Sequence, residues 1–556
     1  MASWYEDAVF YEVSVRAFCD GNGDGVGDFV GLTRRLPYLA ELGVDALWLL
    51  PMYPSPLRDD GYDIADFTGI HPELGTMADF EMFLAEAHRL GLRVVADLVL
   101  NHTSDAHPWF VQARLGRANP YHDWYVWSDD PTCFAEARVI FTDTEASNWA
   151  WDAEAGRYYW HRFFASQPDL NFDHPPVQQA MLDVAAFWLS RGLDGFRVDA
   201  VPYLFEREGT SCENLPETHA FLRRLRAFVA ERFPAAVLLG EANQLPADVM
   251  PYFGTPEAPE LHMAFHFPLM PRLFLALAEQ HRAALVGVLE ATPTPPPGCQ
   301  WATFLRNHDE LTLEMVSPEE REALLAAYAP DPRMRCNVGI RRRLWPLLGG
   351  DRRRVELLHA LLLSLPGAPV LYYGDEVGLG DDVRRPDRHG VRLPMAWDDG
   401  RNFGFSEALP SHLRWPHNLD PGPYHPLVAN AAAAEAHPTS FLHWLRARLR
   451  LRGRHPALRR GDLGLLAPEN PGVLAFVRRW EADTVLVVAN LSPHDQPATL
   501  ALPDHVGWQP LALPGLVPLP RVGEGPYPLT LGPHGCLWAR LVAPGGQGLS
   551  AGPPLG

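Results

Sequence analysis

The chain has 556 residues, of which 47% are hydrophobic and 21% charged, an ordinary globular composition that excludes disorder, collagen-like repeats and low complexity for its bulk. At about 150 residues per domain this length accommodates three or four domains, or one large barrel with additions. The 47 Lys and Arg are outnumbered by 68 Asp and Glu, a net charge of −21, and such a surface repels nucleic-acid phosphates and anionic membranes, so neither is expected as a partner.

Near the N-terminus, Glu6 and Asp7 stand where a secretory signal needs basic residues before an apolar run. The longest apolar stretch, 360–373, is broken by Ser364, Pro366, Gly367 and Pro369 and falls short of the roughly 20 residues that span a bilayer. A cytoplasmic protein is expected. The six cysteines lack paired spacing and read as reduced packing thiols.

In chain order, short β-branched or apolar runs fall at 9–15, 46–50, 93–100, 195–198, 237–241, 262–267, 301–305 and 369–373. Helical patterns lie between them at 32–42, 77–90, 177–189, 218–233 and 355–365. Eight strands alternating with helices predict an α/β fold, a (β/α)8 barrel over 1–100 and 173–460, whose functional side chains gather at the C-terminal ends of the strands. The gap of about 95 residues after the third strand is too long for one crossover, and its Trp- and Tyr-rich content marks an inserted subdomain at 101–172. A helical insertion at 317–350 precedes the eighth strand and ends in Arg341, Arg342 and Arg343, by default a solvated or salt-bridged face. After a helix at 440–451 the pattern changes to period-2 strands such as 473–477 and 484–488. This reads as a C-terminal β-sandwich over 461–543. Residues 544–556 hold 8 Gly or Pro in 13 and read as a flexible tail.

The fourth strand ends Gly195-Phe196-Arg197-Val198-Asp199. Side chains alternate along a strand, so Arg197 and Asp199 share a side, and the guanidinium is expected to keep Asp199 at a depressed pKa and ionised, as a nucleophile requires. Alone, the pair reads equally as a structural ion pair. The fifth strand, however, ends in Glu241 and the seventh in Asn307-His308-Asp309. Three carboxylates on one rim raise the pKa of at least one, leaving a protonated acid beside an ionised nucleophile. Glycosidic cleavage with retention uses such a pair and no metal. Asp97 and Asn101-His102 join the rim from the third strand, with a His102 imidazole able to donate to sugar hydroxyls. In Asp59-Asp60-Gly61-Tyr62-Asp63, Tyr62 suits stacking under a sugar ring and Asp60 suits accepting from its hydroxyls.

The ordered set Asp97 to His102, Gly195 to Asp199, Glu241 and Asn307 to Asp309 resembles the four motif regions of the α-amylase superfamily, glycoside hydrolase family 13. The resemblance implies Asp199 as nucleophile, Glu241 as general acid/base and Asp309 as the carboxylate that stabilises the transition state. It implies that Arg197, His102, His308, Asp60 and Tyr62 line the −1 glucose site. Within the family the likeness extends, over 4–406, to the members that isomerise maltose to trehalose. It is carried by 213–219, 262–272, 304–315 and 339–344. That likeness implies that Arg138, Tyr203, Asn243, Glu310 and Glu314 enclose the second glucose and that Arg392 is at the site. The segment 381–397 departs from the pattern: it is shortened and has Ala396 where Gln is usual, which places the balance of isomerisation and hydrolysis in doubt. The implied function is reversible isomerisation of maltose to trehalose through a glucosyl-enzyme, with minor hydrolysis. The alternative is a retaining α-glucosidase or α-glucosyl transferase on short α-glucosides. A homodimer or higher homo-oligomer is expected by the same resemblance.

The loop Asp20-Gly21-Asn22-Gly23-Asp24-Gly25-Val26-Gly27-Asp28 has the oxygen spacing of a calcium loop, with the Val26 carbonyl at position 7. Gly31 at position 12 excludes a full EF-hand. A structural Ca²⁺ or Mg²⁺ is expected there, and no organic cofactor. The family resemblance implies a second cation held by Asn101, Asp169 and Glu206 with the carbonyls of Tyr203 and Leu204.

Overall fold

The structure, a computed structural model, describes residues 3–545. Eight parallel strands close into a barrel: β1 Phe10–Val13, β2 Ala46–Leu49, β3 Arg93–Val99, β4 Gly195–Asp199, β5 Val237–Gly240, β6 Met263–Phe265, β7 Gln300–Phe304 and β8 Ala368–Tyr372. These are the eight runs read from the sequence, each ending within a few residues of its expected limit. They are legible because strands covered on both faces carry near-continuous apolar runs. β3 and β4 are in register with Asp97 beside Arg197 and Val99 beside Asp199, so the motif residues meet at one end. Gly195 opens β4 at φ +150°, and a Cβ there would lie 2.2 Å from the Val237 carbonyl oxygen; only glycine lets β4 and β5 approach so closely.

The outer helices follow from their spacing and caps. Met77–Arg89 starts at a Thr76/Asp79 capping box and buries Phe80, Phe83, Leu84 and Ala87, one face of a 3.6-residue period. Phe29–Leu42 is N-capped by Asp28 and stops at Gly43, which takes the left-handed conformation. Pro175–Leu189 begins on two prolines and packs Met181, Ala185 and Trp188 onto the barrel.

The expected inserted subdomain carries a short helix, Pro108–Ala113, and a three-stranded sheet of Trp127–Ser128, Trp149–Asp152 and Arg157–Trp160. It returns to the end of β3 through bridges pairing His102 with Asp169 and Tyr125 with Leu170. The second insertion holds the helix Pro318–Tyr328 and a ribbon, Arg335–Cys336 with Gly339–Ile340, that pairs with Leu311–Thr312. Of the expected solvated or salt-bridged face, the arginine run keeps the salt bridge and loses the solvent. Arg343 is fully buried and donates to the Tyr373 carbonyl, Arg342 pairs with Asp381, and Arg341 donates to the carbonyls of Arg333, Arg385 and Asp387. The run ties the insertion to the chain beyond β8.

The C-terminal region is the expected sandwich. One sheet is formed by β9 Asp462–Leu466, β10 Val473–Trp480, β11 Asp483–Asn490, β13 Gln509–Ala512, β14 Val517–Pro518 and β16 Cys536–Val542. The other pairs β12 Gln496–Leu500 with β15 Tyr527–Leu531. Along β10, Val473, Ala475 and Val477 face the small sheet, while Leu474 and Phe476 join the barrel core. Period-2 alternation thus buries both faces of the strand. The expected flexible tail, 544–556, lies outside the described residues from 546 onward. The six cysteines are free thiols, and no helix among the described residues is long and apolar enough to cross a membrane.

Candidate active site

The strand ends meet around a cavity of about 140 Å³ lined by Asp199, Glu241 and Asp309 together with Tyr62, His102, Tyr203, Asn243, Glu310 and Glu314. Nine residues picked out from sequence therefore share one wall. Arg197 stands beneath them. Its Nη1 is 2.5 Å from both Asp97 Oδ1 and Asp199 Oδ1, and its Nη2 is 2.7 Å from Glu241 Oε1. After Asp199 the chain turns at Ala200, φ +50°, a left-handed conformation unusual for alanine. Val201 N–H donates to the Glu241 carbonyl at 3.2 Å, which fixes the nucleophile strand against the acid strand.

The charges sort themselves by surroundings. Burial pushes Asp199 up to about 6, with Arg197 opposing and Asp97 and Asp309 reinforcing the rise. The expected depressed value is therefore corrected: desolvation outweighs a guanidinium that Asp199 shares with two other carboxylates. It remains ionised at neutral pH. Glu241 is pushed up to about 7 by burial and by the charges of Asp199 and Asp309. Burial raises Asp309 as well, but His308, Arg388 and Arg392 outweigh it and hold that carboxyl below the usual range. The three groups are thus a half-protonated acid, an ionised nucleophile and a firmly ionised third carboxylate.

His102 is pushed down to about 3 by burial and is a neutral imidazole. Its Nε2, together with Asn243 Oδ1 and Glu310 Oε2, is buried without a hydrogen-bond partner among the described residues. Three such atoms on one cavity wall suit a polyhydroxyl ligand, because buried polar groups are otherwise paired. Phe141, Phe163 and Phe267 give the wall its apolar faces.

Four expected lining residues lie one layer back, in supporting positions. Arg197 and His308 hold the carboxylates from below. Asp60 pairs with Arg392 and with His389, while Asp59 is the carboxylate of that turn that reaches the cavity. Asp60 has φ +48°, so the turn carries its side chain away from Asp59 toward a small neighbouring hollow lined by Tyr62, His308, Arg392 and Arg16. Arg392 bridges Asp60 to Asp309 Oδ1, the latter at 2.9 Å. Tyr62 stacks on the His308 ring, 8° from parallel at 5.4 Å, and lines the cavity.

Beyond Glu241 the cavity is walled by a network. Arg138 donates to Glu213 Oε1 and Glu314 Oε1 at 2.8 Å each and to the Tyr203 hydroxyl at 3.3 Å. Asn243 donates to Glu314 Oε2 at 2.7 Å, and Arg162 donates to Glu213 at 2.5 Å. Arg138 therefore braces the wall from outside it. Sequence reasoning missed Glu213, Arg162 and Arg388. Arg388 lines the cavity and donates to Asp309 Oδ1 at 2.9 Å and Asp59 Oδ1 at 2.8 Å. Its position four residues before Arg392 was the available signal. The substituted Ala396 is fully buried away from the cavity.

In the loop at 20–28, Asp20 accepts from the N–H groups of Asn22, Gly23 and Gly25, Asn22 from Asp24, Asp24 from Val26, and Asp28 from Gly21, Asn22 and Gly31. Among the described residues no group of three or more His, Cys, Asp or Glu side chains is gathered to hold a metal ion. At the foot of the inserted subdomain, Asn101 Oδ1 and Asp169 Oδ2 are buried acceptors without a partner among the described residues. Asp169 is pushed up to about 8 by burial, and Glu206 is raised by burial and by the Asp169 charge.

A closed eight-stranded barrel with an ionised nucleophile, a half-protonated acid and a third carboxylate on one rim defines a retaining carbohydrate-active enzyme. The chain belongs to the α-amylase family: the alpha amylase catalytic domain model matches residues 13–326 and 341–461, and the maltogenic amylase C-terminal domain model matches 463–538. It is 54% identical to a trehalose synthase of Pimelobacter sp. (strain R48), over 97% of this chain and 96% of that protein. It is 55% identical to a trehalose synthase/amylase of Mycobacterium tuberculosis (strain CDC 1551 / Oshkosh), over 97% of this chain and 90% of that one. A crystal structure of a trehalulose synthase mutant in complex with Tris superposes with a TM-score of 0.79 at 29% identity, covering 97% of this chain and 100% of the other.

Proposed function

We propose that this enzyme converts maltose to trehalose, reversibly and within one closed pocket, with hydrolysis to glucose as a minor outcome. Asp199 attacks C1 of the non-reducing glucose while Glu241 protonates the bridging oxygen, leaving a β-glucosyl-enzyme and a free glucose. The freed glucose turns, Glu241 takes the proton of its anomeric hydroxyl, and that oxygen displaces Asp199 to form the α,α-1,1 linkage. Asp309, ionised and braced by Arg388 and Arg392, faces the positive charge that develops at C1 in both steps. One observation carries the reading: the wall beyond Glu241 is latched by Arg138, Glu213, Asn243 and Glu314, so a leaving glucose is retained and water is kept from the intermediate.

The test is an NMR time course on maltose alone, integrating the anomeric protons of maltose, trehalose and glucose, with Asp199→Asn as control. Trehalose formed ahead of glucose, and only by the intact enzyme, is the expected result. Glucose alone would transfer the chain to the second reading, a retaining α-glucosidase or α-glucosyl transferase. The shortened 381–397 segment favours that reading, although its Arg388, His389 and Arg392 are anchored on Asp59, Asp60 and Asp309.

A structural cation fits the pocket of Asn101, Asp169 and Glu206, where two unpartnered buried oxygens and a buried carboxylate await a positive charge. The Tyr203 and Leu204 carbonyls would complete its shell. At the 20–28 loop Asn22 Oδ1, both Asp24 oxygens and Asp28 Oδ1 each accept a single hydrogen bond and keep a second lone pair, so a hard cation such as Ca²⁺ or Mg²⁺ would be shared among Asp20, Asn22, Asp24, Asp28 and the Val26 carbonyl, with Asp20 giving up part of its present backbone bonding. Both ions would be structural and take no part in the chemistry. A cytoplasmic homo-oligomer is the proposed working form. The exposed Leu409, Leu419, Leu427 and Val428 after the barrel support it, and light scattering in solution reads it directly.

A further inference from the structure

A second cleft, of about 400 Å³, borders the start of the segment that delivers Arg388 and Arg392 to the active site, yet it shares no lining residue with the catalytic cavity. One wall is residues 379–384, a second comes from Arg333, Met334 and Arg342 of the second insertion, and a third from the strap at 417–426. The catalytic cavity, which holds a disaccharide in the proposed reaction, is about 140 Å³, so the cleft has room for a ligand of that size. Tyr424 gives it a fixed aromatic face. A Cβ at position 380 would lie 2.5 Å from the Tyr424 Cβ, so only glycine admits that side chain, and the Tyr424 hydroxyl donates to the Trp345 carbonyl at 3.3 Å. Pro421, Pro423 and Pro426 add apolar surface beside it.

The charged side chains of the cleft are already paired. Arg342 meets Asp381 at 2.8 Å, Arg384 meets Asp382 at 2.7 Å and Asp420 at 3.1 Å, and Arg333 meets Asp331 at 2.6 Å, so the lining calls for no charged ligand. His417 is the group left open. It is buried, and burial pushes it down to about 4, which makes the imidazole neutral. Its Nε2 lies 3.2 Å from the Met395 carbonyl, which can only accept, so Nε2 carries the hydrogen. Nδ1 is then a bare acceptor, and it has no partner among the described residues. Buried polar atoms are otherwise paired, and an O–H suits this one. We propose that the cleft is a second, non-catalytic sugar site, taking a neutral glucose disaccharide with one hydroxyl donating to His417 Nδ1 and a ring face against Tyr424. Sugar hydroxyls both donate and accept, which fits a lining whose ion pairs present both kinds of group, and an apolar wall with a few placed polar atoms is the usual make-up of a small-molecule site. Asn418 on the strap donates to the Asp381 carbonyl at 2.9 Å and accepts from Arg384 at 3.0 Å, so an occupant touches two elements that already hold each other. Binding there does not depend on which reaction the carboxylates carry out.

Asp199→Asn turns sugar over too slowly to disturb a binding measurement and keeps both sites. Equilibrium dialysis of that protein against labelled trehalose should saturate at two molecules per chain, and its crystals soaked in trehalose should show one sugar in the catalytic cavity and one on Tyr424. Val383 stands half-buried on the cleft wall, and Val383→Trp in the same background fills the space; the count should fall to one with Tm unchanged and the catalytic cavity still occupied. A second variant guards against a folding defect in the first. Tyr424→Leu keeps bulk over Gly380 without the ring, and should weaken the second site alone by about three- to ten-fold. Saturation at one molecule per chain, an empty cleft in the soaked crystal, or a second site indifferent to both variants would overturn the proposal.

Discussion

Replacing Arg138 by alanine isolates the enclosure from the chemistry. Arg138 lies on the inserted subdomain, touches none of the three carboxylates, and joins Glu213, Glu314 and Tyr203 at 2.8, 2.8 and 3.3 Å. Glu213 keeps Arg162 and the Gln244 side chain as donors in the variant, so the fold is retained. A charge-assisted hydrogen bond contributes roughly 1.5–3 kcal/mol when buried. The Arg138 side chain is 38% exposed, and solvent screening reduces the loss of wall closure to about 1–2 kcal/mol. At about 1.4 kcal/mol per factor of ten, the ratio of glucose to trehalose in the initial products should rise by about 5- to 30-fold, while the rate of maltose consumption stays of the same order. Initial-rate NMR on maltose measures both at once. A product ratio within about two-fold of the unmutated enzyme, in a variant that still consumes maltose, would refute the argument that this network retains the glucose.

The remaining predictions concern charge and metal. Asp199→Asn should lower formation of trehalose and glucose together by about 10⁴-fold or more, because both outcomes pass through one intermediate. The pH profile of kcat/KM should be a narrow bell: activity rises as Asp199 ionises through about 6 and falls as Glu241 loses its proton through about 7. The two limbs belong to the interacting pair, and Glu241→Gln should abolish the alkaline one in whatever activity survives. Calcium added to chelator-treated enzyme should raise Tm by mass action. Asp169→Asn should remove most of that response while a maltose-conversion assay at low temperature stays near normal; an unchanged response would assign the stabilising ion elsewhere.

The barrel was legible in the sequence because its strands are nearly unbroken apolar runs at regular intervals, and the site because its carboxylates sit in contiguous motifs at the strand ends. What escaped depends on contacts between distant segments. Arg388 reaches back to Asp59, and Arg162 to Glu213; neither pairing leaves a local pattern. The helix Ala283–Ala291 after β6 is apolar nearly all round, so helical periodicity is weak there. Arg343 is a warning of the opposite kind: an arginine run reads as surface, yet this member is entirely buried because the Tyr373 carbonyl receives it.

The pKa order within the site follows from how few cations serve so many acids. Arg197 alone is shared by Asp97, Asp199 and Glu241, and its Nη1 is divided between the first two. Asp309 instead takes one bond from Arg388, one from Arg392 and a contact with His308 Nε2. All three working carboxyls pay desolvation, so the one with the richest set of cationic donors is held ionised, and the acid left with the remaining arm of a shared guanidinium and the Ala200 N–H keeps its proton longest. The division of labour therefore does not reside in whether a residue is Asp or Glu. It is set by the loops that deliver Arg388 and Arg392 to one side of the rim and leave the Glu241 side with none. Those loops also border the cavity through which water would enter, which links the choice of acid to the choice of product.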